Sequence, residues 1–336
     1  MADIDLYNVL DEKFALIEQG TWGTAAGTAD ASHGIHTAGF DIIPAVNVPM
    51  PDRARAQRYQ HNDNIVPNEK GVVSEVVVPT PALKDQLDFF VYGCMQNVSE
   101  GTGDPFVKTF TFPQTQPDFQ NNEGMLLFLL NYMPVAAKSH YLMDGVSSQL
   151  VFSCAPGAND GVLHIGATVK GRTQVETFTY TGTATYPDVA TTDFFYFHDI
   201  VTATHGGGAM ILGNNGFTIT IDTGLVPYGQ ASGKIQNFAM IEPKVTTTVQ
   251  ALWDTLMRTE MANMRAGTAS ALTFTWGTAG TDGYLNFALN GKWTEPRSLS
   301  KAKEGEFVTM THTATGLYGT TEPLTLTIAN AIDRSW

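Results

Sequence analysis

Phe217-Thr218-Ile219-Thr220-Ile221 and Leu324-Thr325-Leu326-Thr327-Ile328 decide how this chain is read. In each, large apolar residues alternate with threonine, so an extended segment carries one apolar and one polar face, the period-two pattern of a half-buried β-strand. Asn214-Asn215-Gly216 ahead of the first predicts a turn. Working outward, Val201-Thr202-Ala203-Thr204-His205 falls on Val308-Thr309-Met310-Thr311-His312 at the same offset of 107 that carries Phe217 onto Leu324. A second gap-free match carries residues 150–170 onto 272–292 at an offset of 122, placing Phe152 on Phe274, Asp160-Gly161 on Asp282-Gly283 and Leu163 on Leu285. Asp-Gly between alternating segments predicts a hairpin in each copy. Two matches in the same order predict an internal duplication with the same strand order in both copies. The change of offset puts an insertion in the first copy between residues 170 and 201, where a loop tolerates extra length.

Each copy also carries a stripe at helical spacing. Thr247 with Gln250 forms a capping-box pattern, and Val249, Leu252, Trp253, Leu256, Met257 and Met264 follow on one face before Gly267. In the first copy Thr80 reads as the N-cap with Pro81 at the first helical position, then Leu83, Leu87, Val91 and Cys94. The fold expected is mainly β: two tandem β-sandwich or barrel domains, each with a flanking α-helix. The first domain, with insertions, covers 37–233 and the second 234–336. Residues 1–36 have weak periodicity and many small residues, and read as an extended N-terminal arm.

Composition narrows the function classes. The chain of 336 residues is 43% hydrophobic and 15% charged, which suits a packed core and not disorder. Lys and Arg number 19 against 33 Asp and Glu, a formal charge of −14 that repels phosphate backbones from the average surface. No basic n-region with an apolar stretch opens the chain, and the strongest apolar run, residues 125–130, is too short to cross a bilayer, so no membrane partner and synthesis in the cytoplasm are expected. Cys94 and Cys154 are the only cysteines and read as small core residues. Asn97-Val98-Ser99 matches a glycosylation acceptor but has no secretory route.

Chemistry-bearing patterns are few. Gly206-Gly207-Gly208 lacks the lysine of a phosphate loop and reads as a turn, and no cofactor is expected. His33 and His36 have helical spacing without a further ligand, and His205 and His312, equivalent in the repeat, read as strand-end residues. No serine sits in a nucleophile elbow, and Cys154 lies in an alternating strand, so an enzyme is not expected. Arg53, Arg55 and Arg58 stand out in an acidic chain; a solvated loop is one reading, and contact with an acidic surface of a neighbouring subunit is the other.

With these residues assembled, the chain resembles the tail tube, or major tail protein, family of long-tailed bacteriophages (siphophages), particularly members with a duplicated domain. The carriers are Glu18-Gln19-Gly20-Thr21-Trp22-Gly23-Thr24, Leu142-Met143-Asp144-Gly145 ahead of Leu150-Val151-Phe152, the hairpin ending Lys170-Gly171, and Phe217 to Ile221 leading into Asp222-Thr223-Gly224-Leu225. The resemblance covers most of the chain. It implies a virion structural protein whose sheets join between subunits into the wall of stacked rings, forming the tail tube through which DNA is ejected. Three chains, each with two domains, would close a pseudo-hexameric ring, against an alternative of six chains with the second domain outside. DNA would pass the acidic lumen without specific binding, tape-measure and terminator proteins would be further partners, and Arg53, Arg55 and Arg58 would contact neighbouring rings. A second class is a carbohydrate-binding or host-recognition β-protein, for which Trp276 and Trp293 would supply the aromatic platform.

Overall fold

The computed structural model describes residues 13–24, 35, 37, 42, 73–121, 123–132, 140–175, 191–231, 234–294, 303–315 and 322–333. In chain order these form β1 (Lys13–Gln19), β2 (Val73–Pro81), α1 (Leu87–Met95), β3 (Asn97–Glu100), β4 (Phe106–Thr111), β5 (Leu126–Tyr132), β6 (His140–Cys154) and β7 (His164–Val175). Then come β8 (Ile200–His205), β9 (Gly208–Ala209), β10 (Leu212–Asp222), β11 (Leu225–Ala231) and β12 (Lys234–Met240). The last are β13 (Lys244–Leu252), α2 (Thr255–Arg265), β14 (Ser270–Trp276), β15 (Tyr284–Thr294), β16 (Phe307–Thr315) and β17 (Leu324–Asn330). The protein is mainly β, as its alternating threonine-rich segments require. Fifteen strands join one antiparallel sheet, and β11 with β12 forms a separate ribbon.

The two expected hairpins form, and at the expected offset they share register. Leu150 faces Ala167 and Phe152 faces Ile165 across β6 and β7, while Leu272 faces Leu289 and Phe274 faces Phe287 across β14 and β15. The strands that follow do not keep a common order. β10 lies beside β6, the first strand of its hairpin, whereas β17 lies beside β15, the second strand of its own. β6 gives one edge to β7 and divides the other between β5 and β10; β15 gives one edge to β14 and divides the other between β17 and β16. The match at offset 107 therefore reflects the shared alternation of half-buried strands and not equivalent places in the sheet.

The hairpins face each other. Phe152 on β6 meets Phe287 on β15 edge to face at 4.9 Å, and Phe217 on β10 stacks on Phe274 on β14 at 4.2 Å. Such pairs add roughly 0.5–1.5 kcal/mol each beyond the area they bury. One buried cluster runs from Leu16 and Val76 through Phe152 and Phe217 to Phe274, Phe287 and Ile328. Strand pairing also joins the halves of the chain: β10 with β13, β8 with β14, and β4 with β17. On the opposite side of β1, β5 and β6, Ala15, Ile17, Phe128, Leu130, Tyr141 and Met143 form a second, smaller cluster.

Both helices are shorter than their sequence stripes. Residues 244–252 form β13, because the β-branched run Val245-Thr246-Thr247-Thr248-Val249 suits a strand hydrogen-bonded on both edges, to β10 and β16. α2 begins only at Thr255, capped by Asp254, whose carboxylate accepts from Met257 N at 2.9 Å, and not by Thr247. Thr80 and Pro81 likewise end β2 and do not start α1, since proline is tolerated where a strand pairs along one edge. Asn214-Asn215-Gly216 lies within β10 as an irregularity and not a turn between strands. Gly216 has φ +57°, and a Cβ there would lie 1.9 Å from the Cys154 carbonyl, so only glycine fits.

Candidate functional site

Three stretches distant in sequence converge on Asp144. β1 ends at Gln19, and residues 20–24 turn the chain so that Trp22 and Gly23 come back toward β6. On β6, the register against β7 slips between Met143 and Val146, and Asp144 occupies this bulge with φ +54°, a left-handed conformation that aspartate tolerates better than most side chains. The bulge turns its carboxylate inward, where it is fully buried. Neighbouring glycines allow the backbones to close around it: a Cβ at Gly145 would lie 2.6 Å from the Leu127 carbonyl, and one at Gly171 2.7 Å from that of Met143.

Asp144 is held from every side. Arg172 on β7 donates to Oδ2 from both Nε and Nη2. Gln19 Nε2 donates to Oδ1 at 2.5 Å, Gly23 N donates to the same oxygen at 2.7 Å, and Asp144 N donates back to Gln19 Oε1 at 2.6 Å. The Arg172 guanidinium lies 5.5 Å from the Trp22 ring centre, and Trp22 in turn meets Phe238 of β12 edge to face at 5.9 Å. Burial lowers the Arg172 pKa, but arginine starts so high that it stays a cation. The arrangement is a closed clamp: it fixes β1, the first hairpin and the ribbon of β11 and β12 to one another. Its members come from the Gln19 to Gly23, Asp144-Gly145 and Lys170-Gly171 stretches that stood out in the sequence. Arg172 itself did not, because nothing in the local pattern at the end of a strand tells a buried arginine from an exposed one.

Beyond the clamp lie surfaces suited to association. Among the described residues β1 pairs as a strand only with β5, β2 only with β7 and β3 only with β4, while Phe14 of β1 also accepts from Ile35 N at 3.1 Å and Pro79 of β2 from Thr37 Oγ1 at 2.5 Å. The outer face of β2 exposes Glu75, Val77 and Pro79, and Val226, Tyr228 and Ile241 are exposed on or beside the ribbon. At the far end of β13, Ile211, Leu256 and Phe307 are exposed as well. A depression of about 330 Å³ is lined by Glu75 of β2, Lys170 of β7, and Asp222 and Val226 among others, and Lys170 Nζ lies 3.9 Å from Glu75.

Arg53, Arg55 and Arg58 lie outside the described residues, as do His33 and His36. Residues 1–36, expected as an extended arm, are described over 13–24 and at 35, and residues 13–19 pair with the chain's own β5. His205 ends β8 as expected, whereas His312 lies within β16; both are buried, at 6.5 and 5.0 Å from the Trp293 ring. His312 Nε2 donates to the Ser270 carbonyl at 3.0 Å, whereas neither ring nitrogen of His205 has a protein partner. Burial lowers both pKa values, against the opposing pull of Glu260. Trp276 and Trp293 are 1% and 4% exposed and form no aromatic platform; Trp276 Nε1 donates to the Tyr196 carbonyl at 2.8 Å. Cys94 and Cys154 are buried free thiols, with Cys154 pushed up to about 12 by burial and Cys94 higher still. Among the described residues no group of three or more His, Cys, Asp or Glu is placed to hold a metal ion, and no helix is long and apolar enough to cross a membrane.

No protein-family model matches the chain, and no curated protein matches its sequence.

Proposed function

We propose that the protein is a virion structural subunit of a long-tailed phage, made in the host cytoplasm, that assembles into stacked rings forming the tail tube for DNA ejection. The observation that carries this reading is the set of strands that, among the described residues, pair with another strand along one edge only, beside exposed Val77, Val226, Tyr228 and Ile241. Such edges are templates for strand addition, and a closed ring of identical subunits satisfies them where an isolated monomer leaves them exposed. The convergence of the resemblance-bearing stretches on the Asp144 clamp supports it, since those stretches then share one structural purpose. The charge of −14 suits a conduit from which DNA must slide freely. Tape-measure and terminator proteins are the further partners, and Arg53, Arg55 and Arg58 the candidate contacts between rings.

Ring stoichiometry follows from how many sheet layers each chain offers the wall. Tandem domains with separate cores would let three chains close a pseudo-hexameric ring. A chain whose hairpins face each other across one core offers a single sandwich, which favours six chains. Electron microscopy of the purified full-length protein tests the function, and the mass of one ring tests the count. Tubes with a central bore are expected; discrete monomers at every concentration and ionic strength would overturn the assignment, and a three-chain ring would overturn the single-sandwich argument alone.

A further inference from the structure

Lys108 is placed where lysine is seldom found. β4 pairs with β3 on one edge and β17 on the other, and the register sets Lys108 opposite Ile328. Asn330, two residues beyond Ile328, shares that face. α1 covers it, bringing Asp88 from its first turn. Lys108, Asp88 and Asn330 are each 0% exposed, and Leu87, Val91 and Phe110 nearby are equally dry.

Within this pocket Lys108 Nζ donates to Asp88 Oδ2 at 2.7 Å, to Asn330 Oδ1 at 2.9 Å and to the Ile332 carbonyl at 2.6 Å. Asn330 Nδ2 donates to the same Asp88 oxygen at 3.3 Å and to the Lys84 carbonyl at 3.0 Å. Glu100 Oε1, buried and without a hydrogen-bond partner, lies 3.7 Å from Nζ. One carboxylate oxygen thus touches both an amine and the amide nitrogen of the carboxamide beside it. The carboxamide carbon lies one bond of about 1.2 Å behind Oδ1. Attack requires Nζ to meet this carbon at roughly 3–3.5 Å, and Nζ already lies 2.9 Å from the oxygen it carries.

We propose that Lys108 and Asn330 form an intramolecular isopeptide bond, with Asp88 as the proton carrier. Lys108 Nζ passes a proton to Asp88 Oδ2 and its lone pair attacks Asn330 Cγ. Asp88 delivers the proton to Nδ2, and the bond from Cγ to Nδ2 breaks. The second proton lost by Nζ leaves on the same nitrogen, so an ammonium and a carboxamide become a secondary amide and an ammonium ion. Asp88 returns to its carboxylate, and no water, oxidant or other reactant enters. The dry pocket protects the reacting groups from solvent. The link joins residues 222 apart in sequence, fastening the last strand to β4.

Mass spectrometry of the denatured, trypsin-digested full-length protein reads this directly. The expected result is a linked pair of peptides containing Lys108 and Asn330, with the mass of their sum less one ammonia and no cleavage after Lys108. Asp88→Asn is expected to leave the peptides separate, as is Lys108→Arg. Peptides of full mass in the wild-type protein overturn the proposal whether or not any variant folds. A pair joined with loss of water, linking Lys108 to Asp88, overturns the assignment to Asn330, and an Asp88→Asn chain that links fully overturns the role of Asp88.

Discussion

Replacing Arg172 with methionine tests the clamp most sharply. The substitution keeps the length of the side chain and much of its packing but leaves the Asp144 carboxylate, fully buried, with only Gln19 Nε2 and Gly23 N as neutral donors. Removing one partner of a buried ion pair typically costs about 3–5 kcal/mol, because the remaining charge has neither water nor counter-charge. The loss of the guanidinium near Trp22 adds about 0.5–1 kcal/mol. Against a total stability of roughly 5–15 kcal/mol this is a large fraction. With a urea m-value near ~3 kcal/mol/M, the unfolding midpoint should fall by about 1–1.7 M. Urea titration followed by near-ultraviolet circular dichroism measures it. The decisive arm is the double variant Asp144→Asn with Arg172→Met. Asparagine tolerates the same left-handed backbone and still accepts from Gln19 and Gly23, so no charge is buried unpaired. The double variant should lose only about 1–2 kcal/mol, less than Arg172→Met alone. If it is instead less stable than the single variant, the buried-charge reasoning is wrong and Arg172 matters only through its packing.

Two further outcomes follow from the structure. His205 and His312 are buried with pKa values below the ordinary one, so the unfolded chain binds protons more readily; their contribution is complete above about pH 6.5 and is lost as pH falls through the folded values, at up to ~1.4 kcal/mol per pH unit for each histidine. The slope of stability between pH 7 and 5 should therefore flatten in His205→Phe, and an unchanged slope would refute the assignment to that side chain. Gly291→Ala sets a Cβ 2.3 Å from the Thr313 carbonyl and should lower the melting temperature by several degrees, whereas Gly20→Ala, with nothing within 4 Å, should leave it unchanged in the same calorimetric scan.

Sequence reasoning worked where the signal is local. Alternation in Phe217 to Ile221 and Leu324 to Ile328 marked real strands, and the match at offset 122 anticipated two hairpins in identical register, because facing partners in a hairpin are near neighbours in sequence. It failed where long-range pairing decides. Val249 and Leu252 fit a helical stripe with Leu256, yet pairing on both edges drew them into β13. His312 read as a strand end because no local pattern reveals that β16 runs on to Thr315 or that Trp293 lies beside both histidines. The Lys108 pocket was silent for the same reason: its members come from β4, α1 and β17, and each alone is an unremarkable polar residue.

The buried polar groups and the shared core bear on one question, what keeps this sheet a unit. The Asp144 clamp ties the start of the described chain to the first hairpin, and the Lys108 cluster ties its last strand to β4 in the first half. Between them β10 pairs with β13 and β8 with β14, so strands from the two halves are neighbours at several places. Halves linked in this way cannot turn relative to one another without breaking ladder hydrogen bonds and opening the aromatic contacts of Phe152 with Phe287 and of Phe217 with Phe274. Two hairpins of shared register thus pack face to face over one buried cluster, with the Asp144 and Lys108 clusters fastening strands near either end of the described chain.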